Sequence, residues 1–274
     1  MKTNKIKHHG RSTTIVIVGV ILAALTIFAL YIGYEKLRAL WLEQCIVRDM
    51  ERQVTISSGK MVKADAIAKI FGIHPGANLA LIDYRKKREE TLATIANLRD
   101  LRVKRRLPDC VTIDIEERVP VARMGLRGQR KTTGRIVDAE GVVFRYFRNT
   151  ELLPIILESS APGTAIGRHV SKRAKAALEF IDVCHNPEFQ TIGILEIDLS
   201  SPDYLLATIN TGSNYAKLKL AWDDMDDPTP ASRADLTRRL THLKQAIGTR
   251  IGSNSEVWNA TEPDCVYADT KGKL

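Results

Sequence analysis

Residues 15–32, IVIVGVILAALTIFALYI, carry no charge, and no other stretch limits the fold of this chain as strongly. A helix over residues 13–34, at about 1.5 Å of rise per residue, would reach roughly 30 Å, the hydrocarbon thickness of a bilayer. A cleaved secretory signal has an apolar region of roughly 7–15 residues and ends in a small-residue cleavage site. This run is longer and ends in the bulky Tyr31, Ile32 and Tyr34. A core helix that is apolar on every face needs a large protein around it, whereas this one follows a short basic tail. The stretch therefore reads as a single uncleaved membrane anchor. Lys2, Lys5, Lys7 and Arg11 precede it without an acid, while Glu35, Lys36, Arg38 and Glu43 beyond it nearly balance. The positive-inside rule keeps residues 1–12 in the cytoplasm as a tail too short to fold, and delivers the bulk of the chain to the other side of the plasma (inner) membrane, a single-pass type II arrangement.

That topology decides how the composition is read. The 274 residues carry a net charge of +9, and basic runs at 85–88, 99–106 and 123–135 invite a nucleic-acid reading. Those runs face a compartment without DNA, so a solvated basic face near anionic headgroups or envelope polymers is the preferred reading. Cys45, Cys110, Cys184 and Cys265 stand singly, compatible with two disulfides in an oxidising compartment or with four lone thiols. The histidines form no ligand pattern, and no metal or cofactor is expected. In residues 125–132 the glycine that a phosphate loop needs before Lys131 is Arg130. The acidic loop at 223–227 lacks EF-hand spacing. Glu116 and Glu117 are adjacent on an expected strand and point to opposite faces. With no nucleophile elbow or S-x-x-K set either, no catalytic constellation can be assembled, and a non-enzymatic role is expected.

Beyond the anchor a polar helical stalk continues over residues 35–42, with Leu37, Leu40 and Trp41 at helical spacing. Residues 45–56 read as a strand closed by the turn Ser57-Ser58-Gly59. Ile67, Ile70 and Phe71 mark one face of a helix over 63–71 that Gly72 ends. Asp83 is the expected cap of a second helix reaching about Ile95, with Leu92 and Ile95 inward. Two alternating segments follow, 98–107 and 111–116, turned by Pro108-Asp109. After Pro154, Ser171 caps a helix with the stripe Ala174, Ala177, Leu178 and Ile181. Strands are expected at 192–199, 204–210 and 216–222. A capping box at Ser232 and Asp235 opens a helix carrying Leu236, Leu240, Leu243 and Ile247, and residues 256–268 are extended.

The order β-α-α-β-β resembles a POTRA domain, and specifically that of the bacterial cell-division family FtsQ/DivIB. The likeness is carried by Asn78-Leu79, by the R-x-L-P turn ending at Pro108, and by Glu117-Arg118-Val119-Pro120-Val121-Ala122. It continues through Asp138, Gly141 and Phe144, similar to the family's D-x-x-G-x-x-F, and Pro154 in the place of its L-P. Each of these positions also has a purely structural reading: Pro108 and Pro120 as turn and strand-exit devices, Gly141 as a hairpin residue, Arg118 as a partner of Glu116 or Glu117.

The resemblance implies an α+β chain: cytoplasmic tail (1–12), transmembrane helix (13–34), POTRA domain (45–122) and a mixed antiparallel β domain with helices (123–274) that binds partners. It implies a scaffold of the division septum linking membrane-anchored FtsB/FtsL-like proteins, and possession of no cofactor. An exposed edge strand offers unpaired backbone groups to which a partner strand can add. By position that segment is 256–268, with Val257, Trp258, Ala260, Cys265, Val266 and Tyr267 as expected contact residues; packing of Trp258 and Tyr267 against the 236–247 helix is the rival reading. The rival function is a POTRA-containing envelope protein that assists transport or assembly of other envelope proteins.

Overall fold

The computed structural model describes residues 9–106, 108–127, 134–146, 150–158, 165–212, 214–227, 229–249 and 255–268. Most of the expected tail and the loop holding Arg130, Lys131 and Thr132 lie outside the described residues. The fold is α+β. It divides into two compact units, one of Met1–Ser58, Lys63–Arg88 and Arg102–Asp114, the other of Gly59–Val62, Glu89–Leu101 and Ile115–Leu274.

The first unit begins with α1 (His9–Gln44), one unbroken helix of 36 residues that joins the apolar run to the polar stalk. It is the one helix among the described residues long and apolar enough to cross a membrane. None of the residues in its apolar window is buried, as a lipid-facing surface requires. The expected strand over 45–56 is instead split. Asp49 accepts hydrogen bonds from the backbone N–H groups of Glu51 and Arg52, capping the short α2 (Met50–Gln53), and only β1 (Val54–Ile56) is extended. Local side-chain bonds to the backbone outcompete the alternation there.

Next comes α3 (Ala64–Phe71), which buries Ile67 and Phe71 and ends at Gly72 in the left-handed region, φ 68°. Asp83 Oδ1 accepts from the Lys86 N–H at the start of α4 (Tyr84–Thr94). Tyr84 and Thr91 are the buried residues of α4, while Leu92 is only half-buried. With β2 (Leu98–Arg106) and β3 (Cys110–Glu117) the order β-α-α-β-β is complete, and the three strands form a sheet in the order β1-β3-β2. β1 runs parallel to β3, with Val54 opposite Val111 and Ile56 opposite Ile113.

In the second unit nine strands form one sheet in the order β12-β11-β10-β9-β8-β7-β4-β5-β6. They are β4 (Ala122–Leu126), β5 (Arg135–Val137), β6 (Val143–Arg145), β7 (Ile155–Glu158), β8 (Gly193–Asp198), β9 (Leu205–Asn210), β10 (Tyr215–Leu220), β11 (Val257–Ala260) and β12 (Tyr267–Ala268). Two of its parallel pairs are crossovers, since parallel neighbours cannot be joined by a tight hairpin. α5 (Lys172–Cys184) links β7 to β8, and α6 (Pro230–Ile247) links β10 to β11. The Ser171 hydroxyl caps α5 by accepting from the Ala174 N–H. Ala174, Ala177, Leu178 and Ile181 of α5 join Leu236, Leu240 and Leu243 of α6 and the inward residues of β9 and β10 in one apolar cluster. α6 starts earlier than its sequence indicates. Thr229 is the cap and Pro230 the first residue, while the Ser232 hydroxyl accepts from Trp222 Nε1 and donates to the Asp224 carbonyl.

Candidate partner-binding edge

The last two strands close one end of the nine-stranded order. β11 lies parallel to β10, Lys217 opposite Val257 and Leu220 opposite Ala260, because α6 returns the chain to the same end of the sheet. β12 pairs antiparallel with β11, Trp258 opposite Ala268 and Asn259 opposite Tyr267, and is the outermost strand. Val257, Trp258 and Ala260 are buried, Ala260 completely. Their side chains belong to the core, with Trp258 in the cluster of Leu236, Leu240 and Leu243. This corrects the expectation that those three present a contact surface: Trp258 and Ala260 share the β11 face that packs in that cluster, while Val257, on the opposite face, is buried outside it. Val266 is half-buried against the same core, whereas Cys265 is exposed and Tyr267 is 46% exposed. The Tyr267 hydroxyl accepts from Asn259 Nδ2 at 2.9 Å, tying β12 to its neighbour.

Behind this edge stands a buried arginine. Arg239 is 2% exposed; its Nε donates to Asp235 Oδ2 at 2.9 Å and its Nη1 to the Thr261 carbonyl at 2.8 Å, immediately after β11. Burial would raise the Asp235 carboxyl, but the Asp223 N–H and the Arg239 and Arg238 guanidiniums outweigh it and hold the group below its usual value. Asp235 and Arg239 stand four apart on α6, a spacing visible in the sequence. Nothing local in the sequence shows that Arg239 reaches across to Thr261.

The motif positions do not converge on one site. Asn78 Nδ2 donates to the Leu42 carbonyl at 2.8 Å, satisfying a last-turn acceptor of α1, and Leu79 is buried with its N–H on the Cys45 carbonyl. Glu117 accepts three backbone N–H groups, those of Lys60, Met61 and Val62. A Cβ at Gly59 would meet that carboxylate in its present position. Arg118 pairs with neither Glu116 nor Glu117. It donates to the Ala96 carbonyl through Nε, and through Nη1 to Asp138 and Glu140.

Asp138 also accepts the Val142 N–H, closing the turn in which Gly141 has φ 82°. Arg99 bridges Glu140 and Glu116, and its hydrogen bond leads the interactions that hold the Glu140 carboxyl below its usual value. Ala122 and Phe144 are fully buried. The Val121 N–H bonds the Val137 carbonyl, and the Pro154 carbonyl accepts the Arg123 N–H. Pro108 sits in the turn before β3, and Pro120 in the connection between β3 and β4.

A family model described as POTRA domain, FtsQ-type, matches residues 51–118. Those residues are an FtsQ-type POTRA domain. Behind an N-terminal apolar helix suited to membrane anchoring, this domain fits the FtsQ/DivIB architecture. The match takes in Asn78, Leu79, Pro108, Glu117 and Arg118. Pro120, Val121, Ala122, Asp138, Gly141, Phe144 and Pro154 follow the POTRA domain, as does the whole nine-stranded sheet. No curated protein matches the chain. The four cysteines are free thiols: Cys45 and Cys184 are buried, Cys110 is half-buried and Cys265 exposed. Burial pushes the Cys184 thiol up to about 12, which removes it as a nucleophile. Among the described residues no three His, Cys, Asp or Glu side chains group as a metal site.

Proposed function

We propose that the chain is a non-enzymatic scaffold of the bacterial division machinery, an anchored POTRA protein whose nine-stranded sheet recruits other single-pass division proteins. In this reading residues 1–12 stay in the cytoplasm, the folded bulk is extracytoplasmic, and the protein gathers at the septum. The observation that carries it is the two-residue outer strand β12, with Cys265 and Tyr267 exposed beside it. A strand from an FtsB/FtsL-like partner that pairs with β12 gains main-chain hydrogen bonds at about 0.5–1.5 kcal/mol each. The side chains of Cys265, Val266 and Tyr267 then set register and choice of partner. An FtsQ-type POTRA domain behind an apolar helix supports the division setting.

The test is binding of a soluble FtsB/FtsL-like pair to the full chain, to Tyr267→Glu, and to a chain ending after Ala260. Both changes are expected to weaken binding at least tenfold. Unchanged affinity in variants that still fold would sink the β12 reading. Depletion separates this function from envelope assembly, because filamentous cells report a division role and outer-membrane defects an assembly role.

A further inference from the structure

A second candidate surface lies in the first unit, where α1 leaves the membrane. Beyond Tyr34 the stalk still carries Leu37, Leu40 and Trp41, all exposed. On a helix emerging from hydrocarbon such side chains sit best at the headgroup level, and helical side chains lean back toward the N-terminus. Trp41 is about 10 Å of rise beyond Tyr34, and one headgroup layer is roughly 5–7 Å thick. Gln44, the last residue of α1, follows about 4–5 Å later. The first unit therefore begins just outside the headgroups.

A cavity of about 420 Å³ stands at that level, lined by Gln44, Ile46, Arg48, Arg52 and Pro108. Arg106, at the end of β2, is close by: burial and Asp109 push the Cys110 thiol up, while Arg52 and Arg106 both pull it down. All three arginines are exposed, and among the described residues none of their guanidiniums makes a hydrogen bond or ion pair. The carboxylates at the cavity do not take them. Asp49 accepts from the Glu51 and Arg52 N–H groups, and Asp109 accepts from the Cys110 thiol. Leu81 adds an apolar element. It is 69% exposed, its N–H closes a turn on the Asn78 carbonyl, and the Asn78 side chain grips Leu42 near the end of α1. Open guanidiniums and an exposed leucine at the foot of one anchored unit suit a bilayer interface, charge for the headgroups and apolar surface for their boundary.

We propose that this end of the first unit rests on the bilayer and binds anionic phospholipid headgroups, with Arg48, Arg52 and Arg106 on phosphate oxygens and Leu81 at the headgroup boundary. The planar fork of each guanidinium matches two oxygens of a phosphate. The potential of an anionic leaflet decays over about 8 Å at physiological salt and still acts at this height. The surface depends on α1 as the anchor and not on β12.

The experiment places the full-length protein in lipid nanodiscs, either of phosphatidylcholine alone or of phosphatidylcholine and phosphatidylglycerol in equal parts, and follows amide hydrogen exchange. Exchange over residues 48–53 and 80–82 is expected to be at least fivefold slower in the anionic discs. Raising the salt to about 1 M, where the screening length is about 3 Å, should remove most of the difference. The double variant Arg48→Gln, Arg52→Gln should lose the slowing while keeping the wild-type thermal transition in neutral discs, since neither guanidinium holds the fold. Leu81→Ser should lose part of it, and full slowing in that variant removes Leu81 from the surface. Equal exchange of the wild type in both discs, or slowing that survives the double substitution, overturns the proposal. Equal slowing by inorganic phosphate in neutral discs overturns the assignment to lipid. Failure to enter discs overturns the anchor and this surface with it. Binding of the FtsB/FtsL-like pair by the double variant should be unchanged, so that failure here and failure of the β12 reading are separate results.

Discussion

At one edge of the nine-stranded sheet, β6 is covered from outside: the Val143 N–H bonds the Arg168 carbonyl at 3.0 Å, and the Val143 carbonyl accepts the Gly167 N–H at 2.7 Å. Val142 and His169 form a further bridge beside it. At the other edge, β12 is two residues long and no described segment pairs with its outer side. The same sheet is thus finished at one side by its own chain and left short at the other. An exposed edge offers unpaired backbone N–H and C=O groups to an added strand, and covering the edge removes them. The proposed function assigns recognition to β12 and leaves β6 to stability.

Three substitutions can break that division of labour. Phe144 on β6 is fully buried, so Phe144→Ala should cost about 3–5 kcal/mol in urea unfolding, while the folded variant keeps its affinity for the partner pair. A parallel loss of affinity would show the two edges to be coupled. Arg239→Ala should cost about 3 kcal/mol, since it leaves Asp235 short of a cation and the Thr261 carbonyl without its donor, and it should also weaken partner binding.

Its pH dependence has a definite sign. The folded-state pKa of Asp235 is depressed, so the stabilisation is complete at neutral pH and fades as pH falls below about 4. The penalty of Arg239→Ala should therefore shrink between pH 7 and pH 3, and a penalty constant over that range would remove the ion pair from the account. The smallest effect is expected from Tyr267→Phe, which removes only the exposed hydroxyl that accepts from Asn259 Nδ2, for about 0.5 kcal/mol. Amide exchange at positions 267 and 268 should nonetheless quicken, and unchanged exchange would mean that Asn259 does not hold the open edge.

What could be read in the sequence follows the range of the interactions. α3 and the Leu236, Leu240, Leu243 face of α6 repeat at helical spacing, and a period is local information, while α1 is legible as an uncharged run of bilayer length. Residues 45–56 misled because Asp49 and Gln53 bond to nearby backbone N–H groups, so a helical turn replaces the first half of the strand. Arg118 misled for the opposite reason: its carboxylates are Asp138 and Glu140, about twenty positions on, while the adjacent Glu116 and Glu117 serve Arg99 and the 60–62 backbone. The burial of Val257, Trp258 and Ala260 follows from α6 carrying the chain across to the far side of β10, a tertiary outcome that no local pattern encodes.

The unbroken length of α1 ties azimuth to height. From His9 to Gln44 no residue interrupts the helix, and Asn78 grips the Leu42 carbonyl near its end. One residue inserted in the stalk would turn the Asn78 loop by about 100° around the helix axis and lift it about 1.5 Å. Seven inserted residues would nearly restore the bearing, to within about 20°, and raise the loop about 10 Å. The stalk acts as a screw thread: its residue count selects both the compass direction in which the loop faces and its distance from the bilayer.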